Sequence, residues 1–252
     1  MKKSLIAIVA ALLAAGAARA GTLADLAVVD RATGERIPVY SHRGRLYIPG
    51  APGSKYSLLV TNKTGARVLA VVSVDGVNVV TGETAAPAQS GYVLDARGSV
   101  DIAGWRKSMS EVAAFYFTPL PDSYAARTDR PANVGVIGVA VFREYQPPRP
   151  PAVSRQEASA SGAERREAES ASSADAARAA PSPAEKLGTG HGEREASEAT
   201  WTDFRRASAA PSELITLYYD SRANLVARGI IPGRRYAEPN PFPGFRFAPD
   251  PS

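Results

Sequence analysis

Cysteine is absent from the 252-residue chain, and this absence narrows the chemistry open to the protein. Without cysteine the chain has no disulfide, no thiolate metal ligand and no cysteine nucleophile. The lipid-bearing cysteine of a bacterial lipoprotein is excluded as well. A folded domain of this composition must therefore be stabilised by its core alone.

Histidine is also scarce, and the familiar nucleophile motifs are missing. The chain has two histidines, His42 and His191. It has no G-x-S-x-G motif, no S-x-x-K on a helix and no H-E-x-x-H. The familiar motifs therefore supply no catalytic residue, no metal site and no cofactor. It favours a protein that is not an enzyme, without deciding the question.

No strongly basic surface is predicted, although the sequence pI is about 9.5. The chain has 30 Lys and Arg against 25 Asp and Glu. Three of the basic residues, Lys2, Lys3 and Arg19, lie in the first twenty positions, so the rest of the chain has a net charge of +2. Arg and Glu alternate along it and form no stripe that would follow a phosphate backbone. Nucleic acid is therefore not an expected partner.

The first twenty residues have the pattern of a cleavable signal peptide. Lys2 and Lys3 precede an apolar run at 5–18, and A-R-A at 18–20 matches the small-x-small cleavage pattern. The run is shorter than the roughly 20 apolar residues of a membrane span, and no later run is longer. We expect export to the periplasm or beyond, cleavage before Gly21, and no membrane span in the mature chain.

Residues 21–145 have the pattern of an all-β domain. Short runs rich in β-branched residues are separated by turn signals such as Thr33-Gly34, Pro49-Gly50 and Asp75-Gly76. The run at 66–75 is apolar on both faces, which predicts a central strand covered on both sides. The runs at 56–62 and 66–75 predict a β-hairpin. We expect a β-sandwich of jelly-roll or Ig-like type.

The remaining chain divides into a linker, a second β segment and a tail. Residues 146–186 are rich in Pro, Ala, Ser, Glu and Arg, a composition that predicts a disordered linker. Residues 187–231 predict further strands at 201–206 and 213–220, and residues 232–252 form a tail rich in Pro and aromatics. Because two or three strands are not stable alone, we expect this segment to dock on the sandwich.

Two groups of residues are candidates for ligand binding. Trp105 and Arg106 follow a strand, where an exposed Trp suits a sugar or a protein partner; the alternative is a Trp that plugs the end of the sandwich. His191 and Glu193 lie in the glycine-rich run L-G-T-G-H-G-E, and with a distant carboxylate such as Asp220 they form a candidate metal or general-base site. The alternative is a structural loop with no ligand.

Several of these segments together resemble an uncharacterised family of exported proteobacterial proteins. They are residues 65–79, 91–93 and 102–106, followed by the G-T-G-H-G run at 188–192 and Y-Y-D-S at 218–221. No activity attaches to that family. The resemblance implies export and implies that the two ordered parts belong together, and it transfers no catalytic residue.

Three functional hypotheses follow from the sequence. The leading one is a non-enzymatic cell-envelope protein that binds an envelope protein or self-associates, acting as an interaction or assembly module. The second is a glycan- or metal-binding module that uses Trp105 and Arg106, or His191 and Glu193. The third is a hydrolase with His191 as its base.

Overall fold

In the computed structural model, which describes residues 21–147 and 186–233, two β-sheets pack face to face as a β-sandwich. The elements in chain order are the strands β1 (Ala24–Asp30), β2 (Tyr40–His42), β3 (Arg45–Gly50), β4 (Lys55–Asn62), β5 (Val68–Val74), β6 (Val77–Asn78), β7 (Tyr92–Leu94), β8 (Ser99–Ile102), β9 (Gly104–Arg106) and β10 (Glu111–Pro119), the helix α1 (Tyr124–Arg127), the strands β11 (Val136–Arg143), β12 (Leu187–Ala196) and β13 (Glu213–Ser221), and the helix α2 (Arg222–Ala227). The predicted fold class is confirmed. The predicted signal peptide, nearly all of the predicted linker and most of the predicted tail lie outside the described residues.

Each sheet is built from both halves of the chain. The first sheet has the order β1-β4-β10-β12, with β8 beside β4 and β9 beside β10. The second has the order β2-β3-β13-β11-β5-β6, with β7 also beside β5. β13 lies between a parallel partner, β3, and an antiparallel partner, β11. The docking of the C-terminal strands on the sandwich is therefore confirmed.

Alternate residues along each strand face opposite sides of the sheet, and this alternation explains which side chains form the core. On β4, Tyr56, Leu58 and Val60 occupy every second position and are fully buried between the sheets. β5 is buried on both faces: Val72 faces the main core, while Leu69 belongs to a second apolar cluster on the outer side of the sheet. The prediction of a central strand covered on both sides is confirmed.

The predicted hairpin at 56–62 and 66–75 is wrong. β4 lies in the first sheet and β5 in the second, so the loop between them crosses from one sheet to the other. The Asn62 side chain shapes this crossing, because its amide donates to the carbonyls of Ala66 and Asp95 at 2.7 Å each. Its oxygen accepts the N–H of Thr64 at 2.8 Å. A short glycine-containing loop does not by itself distinguish a hairpin from such a crossing.

The glycine-rich run at 187–193 is a strand, and the predicted strand at 201–206 is wrong. β12 covers the run and pairs with β10, with Tyr116 opposite Gly190. Gly188 and Gly190 share one face, and each leaves room for a neighbouring side chain. A Cβ on Gly190 would lie 2.2 Å from the Tyr116 ring, and one on Gly188 would lie 2.5 Å from the Ser123 Cβ. The glycines therefore serve packing in a strand.

A buried polar network connects the two sheets. Asp75, at the β5–β6 turn, accepts the Tyr219 hydroxyl at 2.6 Å and the N–H groups of Gly135 and Thr189 at 2.8 Å. The Thr189 hydroxyl lies 2.7 Å from that of Tyr219 and 2.6 Å from that of Tyr56. Because the Tyr219 hydroxyl donates its hydrogen bond to Asp75, Thr189 donates to Tyr219 and Tyr56 donates to Thr189. Each of the three hydroxyls in this network therefore has a hydrogen-bond partner.

Asp75 is an ionisable group with no exposed surface. Burial raises the pKa of its carboxyl from the usual 3.8 to about 6, against the hydrogen bonds from Tyr219, Gly135 and Thr189, which favour the ionised form. Burial, followed by the charge of Asp75, also raises the pKa values of Tyr56 and Tyr219 well above 10.0. Both tyrosines therefore stay protonated at neutral pH.

The raised pKa predicts that Asp75 makes the fold more stable in mild acid. Between its unfolded and folded pKa values the native state binds the additional proton, so its stabilising contribution is complete below pH 3.8 and is lost as the pH rises through about 6. The difference corresponds to about 3 kcal/mol. D75N fits the same left-handed backbone, at φ 53°, and cannot titrate.

We expect urea titrations at a series of pH values to show this gain in wild type and not in D75N. D101N, which removes an exposed carboxylate on β8, should keep the wild-type dependence. An equal pH dependence in D75N and wild type would contradict the assignment.

The packing over β12 gives a second stability prediction. G188A places a methyl group against the Ser123 Cβ and Val134, which are part of the packed interior, and should cost about 1–3 kcal/mol in the free energy of unfolding. G65A is the control, because a Cβ there meets nothing within 4 Å. Thermal unfolding of both variants should show a lower Tm for G188A alone.

Candidate functional site

Trp105 is part of the core and does not form an exposed platform. Its side chain is 2% exposed. The indole packs edge-on against Phe115, with ring centroids 5.1 Å apart, and lies 4.8 Å from the ring of Tyr124. Trp105 lies within β9 and does not follow a strand, and its side chain belongs to the main core cluster.

His191 lies on β12 beside Tyr124, with ring centroids 5.3 Å apart. Burial lowers the pKa of its imidazole, and the positive charges of Lys107, Arg127 and Arg194 lower it further. The imidazole is therefore neutral at neutral pH. Among the described residues no carboxylate bonds to it, so the structure provides no group that would orient it as a general base.

The three residues of the candidate metal site have separate partners. Glu193 pairs with Lys55, which also pairs with Glu195. Asp220, in the other sheet, accepts the Ser221 N–H and the Asn224 amide at 2.8 Å each. No group of three His, Asp or Glu side chains in the described part of the chain could hold a metal ion. The structure does not bring His191, Glu193 and Asp220 together.

Arg106, the neighbour of Trp105, points away from the core, as alternation along a strand requires. Its guanidinium donates to the carbonyl of Ser197 at 2.6 Å, to the Ser197 hydroxyl at 3.1 Å and to the Tyr92 hydroxyl at 3.1 Å. Tyr92 lies on β7 and Ser197 directly follows β12. Arg106 therefore connects the two sheets at one side of the sandwich.

The segment after β12, which we call the strap, comprises residues 197–212 and runs from the first sheet to the second. Its backbone is hydrogen-bonded near both ends, from Ser197 to Ser110 at 2.8 Å and from Ser212 to Val141 at 2.8 Å. In its middle, Phe204 packs on the outer apolar cluster of the second sheet, and Arg67 donates to the carbonyl of Asp203. The strap therefore lies along the outer face of that sheet.

A groove opens between the strap and strands β7 and β8, with a volume of about 520 Å³. Its aromatic and charged lining residues are Tyr92, Trp201, Phe204, Arg67, Arg106, Asp95, Asp101 and Glu198. Trp201 is 81% exposed, the most exposed large apolar side chain of the described residues. We call this feature the Trp201 groove.

The charges of the Trp201 groove are mixed and partly unpaired. Arg67 pairs with Glu144 at 2.7 Å, and Arg106 is occupied by Tyr92 and Ser197. Asp95, Asp101 and Glu198 form no ion pair with any described residue. The groove therefore offers a flat aromatic surface beside free carboxylate acceptors.

Of the predicted binding residues, only Arg106 lines the Trp201 groove. The sequence interpretation placed Trp201 in a strand and took Trp105 as the exposed tryptophan, whereas in the structure Trp201 is exposed and Trp105 is buried. No local signal distinguishes the two: alternation through V-D-I-A-G gives Trp105 the phase of the exposed Asp101, yet Trp105 is buried because a new strand, β9, begins at Gly104.

Comparisons of the chain with protein-family models, with curated proteins and with solved structures return no match. In the part of the chain that the structure describes, no helix has the length and apolar character needed to cross a membrane.

The hydrogen bonds of Arg106 predict the effect of removing it. R106Q should release the start of the strap and cost about 1–3 kcal/mol, as expected for hydrogen bonds to a charged donor. Amide hydrogen exchange should become faster at residues 197–203. R194Q is the control, because Arg194 forms only an exposed pair with Glu111 at 3.2 Å. Unchanged exchange in R106Q would contradict the role of Arg106 in fixing the strap.

Proposed function

We propose that this chain is an exported, non-enzymatic protein of the cell envelope that binds a protein partner through the Trp201 groove. The observation that carries the proposal is the 81% exposure of Trp201 on a segment fixed at both ends. An indole in water is costly unless a partner covers it. The leader pattern at 1–20 supports the envelope as the location.

The composition of the groove supports a protein partner. Trp, Tyr and Arg are the residues most often found at the energetic centres of protein interfaces. In this groove Trp201 and Tyr92 lie with Arg67 and Arg106, and the rest of the lining contains both apolar residues, such as Leu69 and Val93, and acidic or polar ones. An aromatic centre with a polar rim is the usual anatomy of a non-obligate interface.

The fixed backbone on either side of Trp201 also favours the binding of a partner. The strap is hydrogen-bonded on either side of Trp201, from Ala199 to the Met109 carbonyl at 2.7 Å and from Tyr145 to the Arg205 carbonyl at 2.7 Å. A ring presented on a fixed backbone loses less conformational freedom on binding than one on a free loop. The groove is therefore largely preformed for a partner.

A glycan is the second candidate, and one observation favours it. The exposed indole lies in the same groove as Asp95, Asp101 and Glu198, whose oxygens accept hydrogen bonds of the kind sugar hydroxyls donate. The sequence-based hypothesis named Trp105 for this role, and the structure offers Trp201 instead. Both candidates use the same groove, so one set of variants tests them.

W201A should weaken binding about 30-fold, the effect of an interface residue worth about 2 kcal/mol. The test places a photo-cross-linking amino acid at Thr202, an exposed groove residue, in cells that produce the protein at native level. Mass spectrometry then identifies what is captured. The affinity of the purified pair is measured for wild type, W201A and L214A.

L214A is the matched control, because Leu214 is 66% exposed and lies outside the groove. A captured protein, including a second copy of this chain, whose binding is lost in W201A and kept in L214A supports the proposal. Retention on purified envelope polysaccharide with the same dependence on Trp201 supports the glycan candidate instead. Binding that is equal in W201A and wild type contradicts both.

A further inference from the structure

A second cavity, of about 500 Å³, lies where the turn between β2 and β3 meets the end of α2. Arg43, Arg45, Arg228 and His42 line it, with Tyr47 and Ile230, which are both nearly buried. None of its lining residues is acidic. We call it the cationic cleft.

The β2–β3 turn determines the positions of two of the arginines, Arg43 and Arg45. Arg43 and Gly44 both have positive φ, 49° and 74°, the geometry of a two-residue type I′ hairpin turn. Asn, Asp or Gly is the usual residue at the first of these positions. Here it is Arg43, and Arg45 lies directly opposite His42 in the strand pairing. Arg43 therefore places a positive charge at a turn position where the backbone conformation favours Asn, Asp or Gly.

The end of α2 supplies the third arginine. Gly229, at φ 68°, ends the helix, and the Ile230 N–H bonds back to the Leu225 carbonyl at 2.9 Å. This return buries Ile230 against the apolar cluster that contains Tyr47. Arg228 is left exposed at the edge of the cleft.

Two of these guanidinium groups lie over the faces of aromatic rings. Arg45 lies 5.4 Å from the ring of Tyr218, and Arg228 lies 5.4 Å from the ring of Tyr47. The two rings are themselves 5.5 Å apart. Stacking of this kind limits the positions of both guanidinium groups, and arginine is well suited to planar, bidentate recognition of phosphate.

Little negative charge compensates the three arginines. Arg43 and Arg45 form no ion pair within residues 21–147 and 186–233. Arg228 Nη1 lies 3.6 Å from Asp220 Oδ2, and the other oxygen of Asp220 is bound by Ser221 and Asn224. Like charges that share a cavity repel one another unless an anion lies between them.

We propose that the cationic cleft binds a phosphate group carried by a small molecule or a lipid headgroup. The arginines would bind the phosphate oxygens through charge-assisted hydrogen bonds. The rest of the ligand would pack on Tyr47 and Ile230. An adjoining cavity of about 270 Å³, which shares Arg45, Tyr47 and Arg228, gives room for a longer ligand, and its additional charged residues are Lys186 and Asp220.

The test titrates the full-length mature protein with inorganic pyrophosphate in a calorimeter and mixes it with vesicles. The vesicles are phosphatidylcholine alone and phosphatidylcholine with phosphatidylglycerol. R43N removes one charge of the cleft and keeps the turn, because Asn accepts positive φ. R97N is the matched control, since Arg97 is exposed, has φ 61° and lies outside the cleft.

We expect R43N to weaken pyrophosphate binding about tenfold, while R97N leaves the affinity unchanged. Binding to phosphatidylglycerol vesicles but not to pyrophosphate, with the same dependence on Arg43, identifies a lipid headgroup as the source of the phosphate. No binding to either probe, or equal losses in R43N and R97N, overturns the proposal. W201A should leave pyrophosphate affinity unchanged, which keeps this result separate from the Trp201 groove.

Discussion

The buried carboxylate of Asp75 is the constraint on which the rest of the structure depends. It lies at the β5–β6 turn of the second sheet and accepts hydrogen bonds from Thr189 on β12 and Tyr219 on β13. Thr189 also contacts Tyr56 in the first sheet. The β5–β6 turn, β12 and β13 therefore meet at one carboxylate, and β4 is joined to them through Thr189. In a chain without disulfides, such a satisfied polar network selects one arrangement of strands over others that bury similar apolar area.

Both candidate binding sites depend on the docking of β12 and β13, the strands that carry Thr189 and Tyr219 of the network. The strap begins where β12 ends and finishes where β13 begins, so the Trp201 groove exists only when both strands are docked. The cationic cleft needs β13 as well, because Arg228 follows that strand and lies over Tyr47 of β3. Neither site belongs to residues 21–147 alone. Both sites therefore form only when residues 186–233 are docked on the sandwich.

Alternation and turn residues predicted much of the fold, and their limits explain the errors. The pattern at 66–75 predicted a strand buried on both faces because its odd and its even positions are both mostly apolar. Val72 and Leu69 face opposite sides of β5, and both are buried. Alternation predicts no strand around His191, because glycine has no side chain to alternate. The run is a strand through its pairing with β10, and Gly190 is required there because Tyr116 occupies the space that a Cβ would take. The exposure of Trp201 depends on how the strap crosses the sheet, a long-range property that no local pattern contains.

The two candidate sites have different electrostatics, and this bears on how ligands would act on the fold. The Trp201 groove combines an aromatic surface with charges of both signs, whereas the cationic cleft has arginines with little compensation. Any ligand that binds only the docked form stabilises it by mass action. A phosphate in the cleft would also remove the mutual repulsion of Arg43, Arg45 and Arg228, so its effect on stability should exceed the effect of contacts alone. Because the strap leads into β13 and Arg228 follows it, both sites need β13 docked, so a phosphate bound in the cleft would favour the docked form in which the groove is also present.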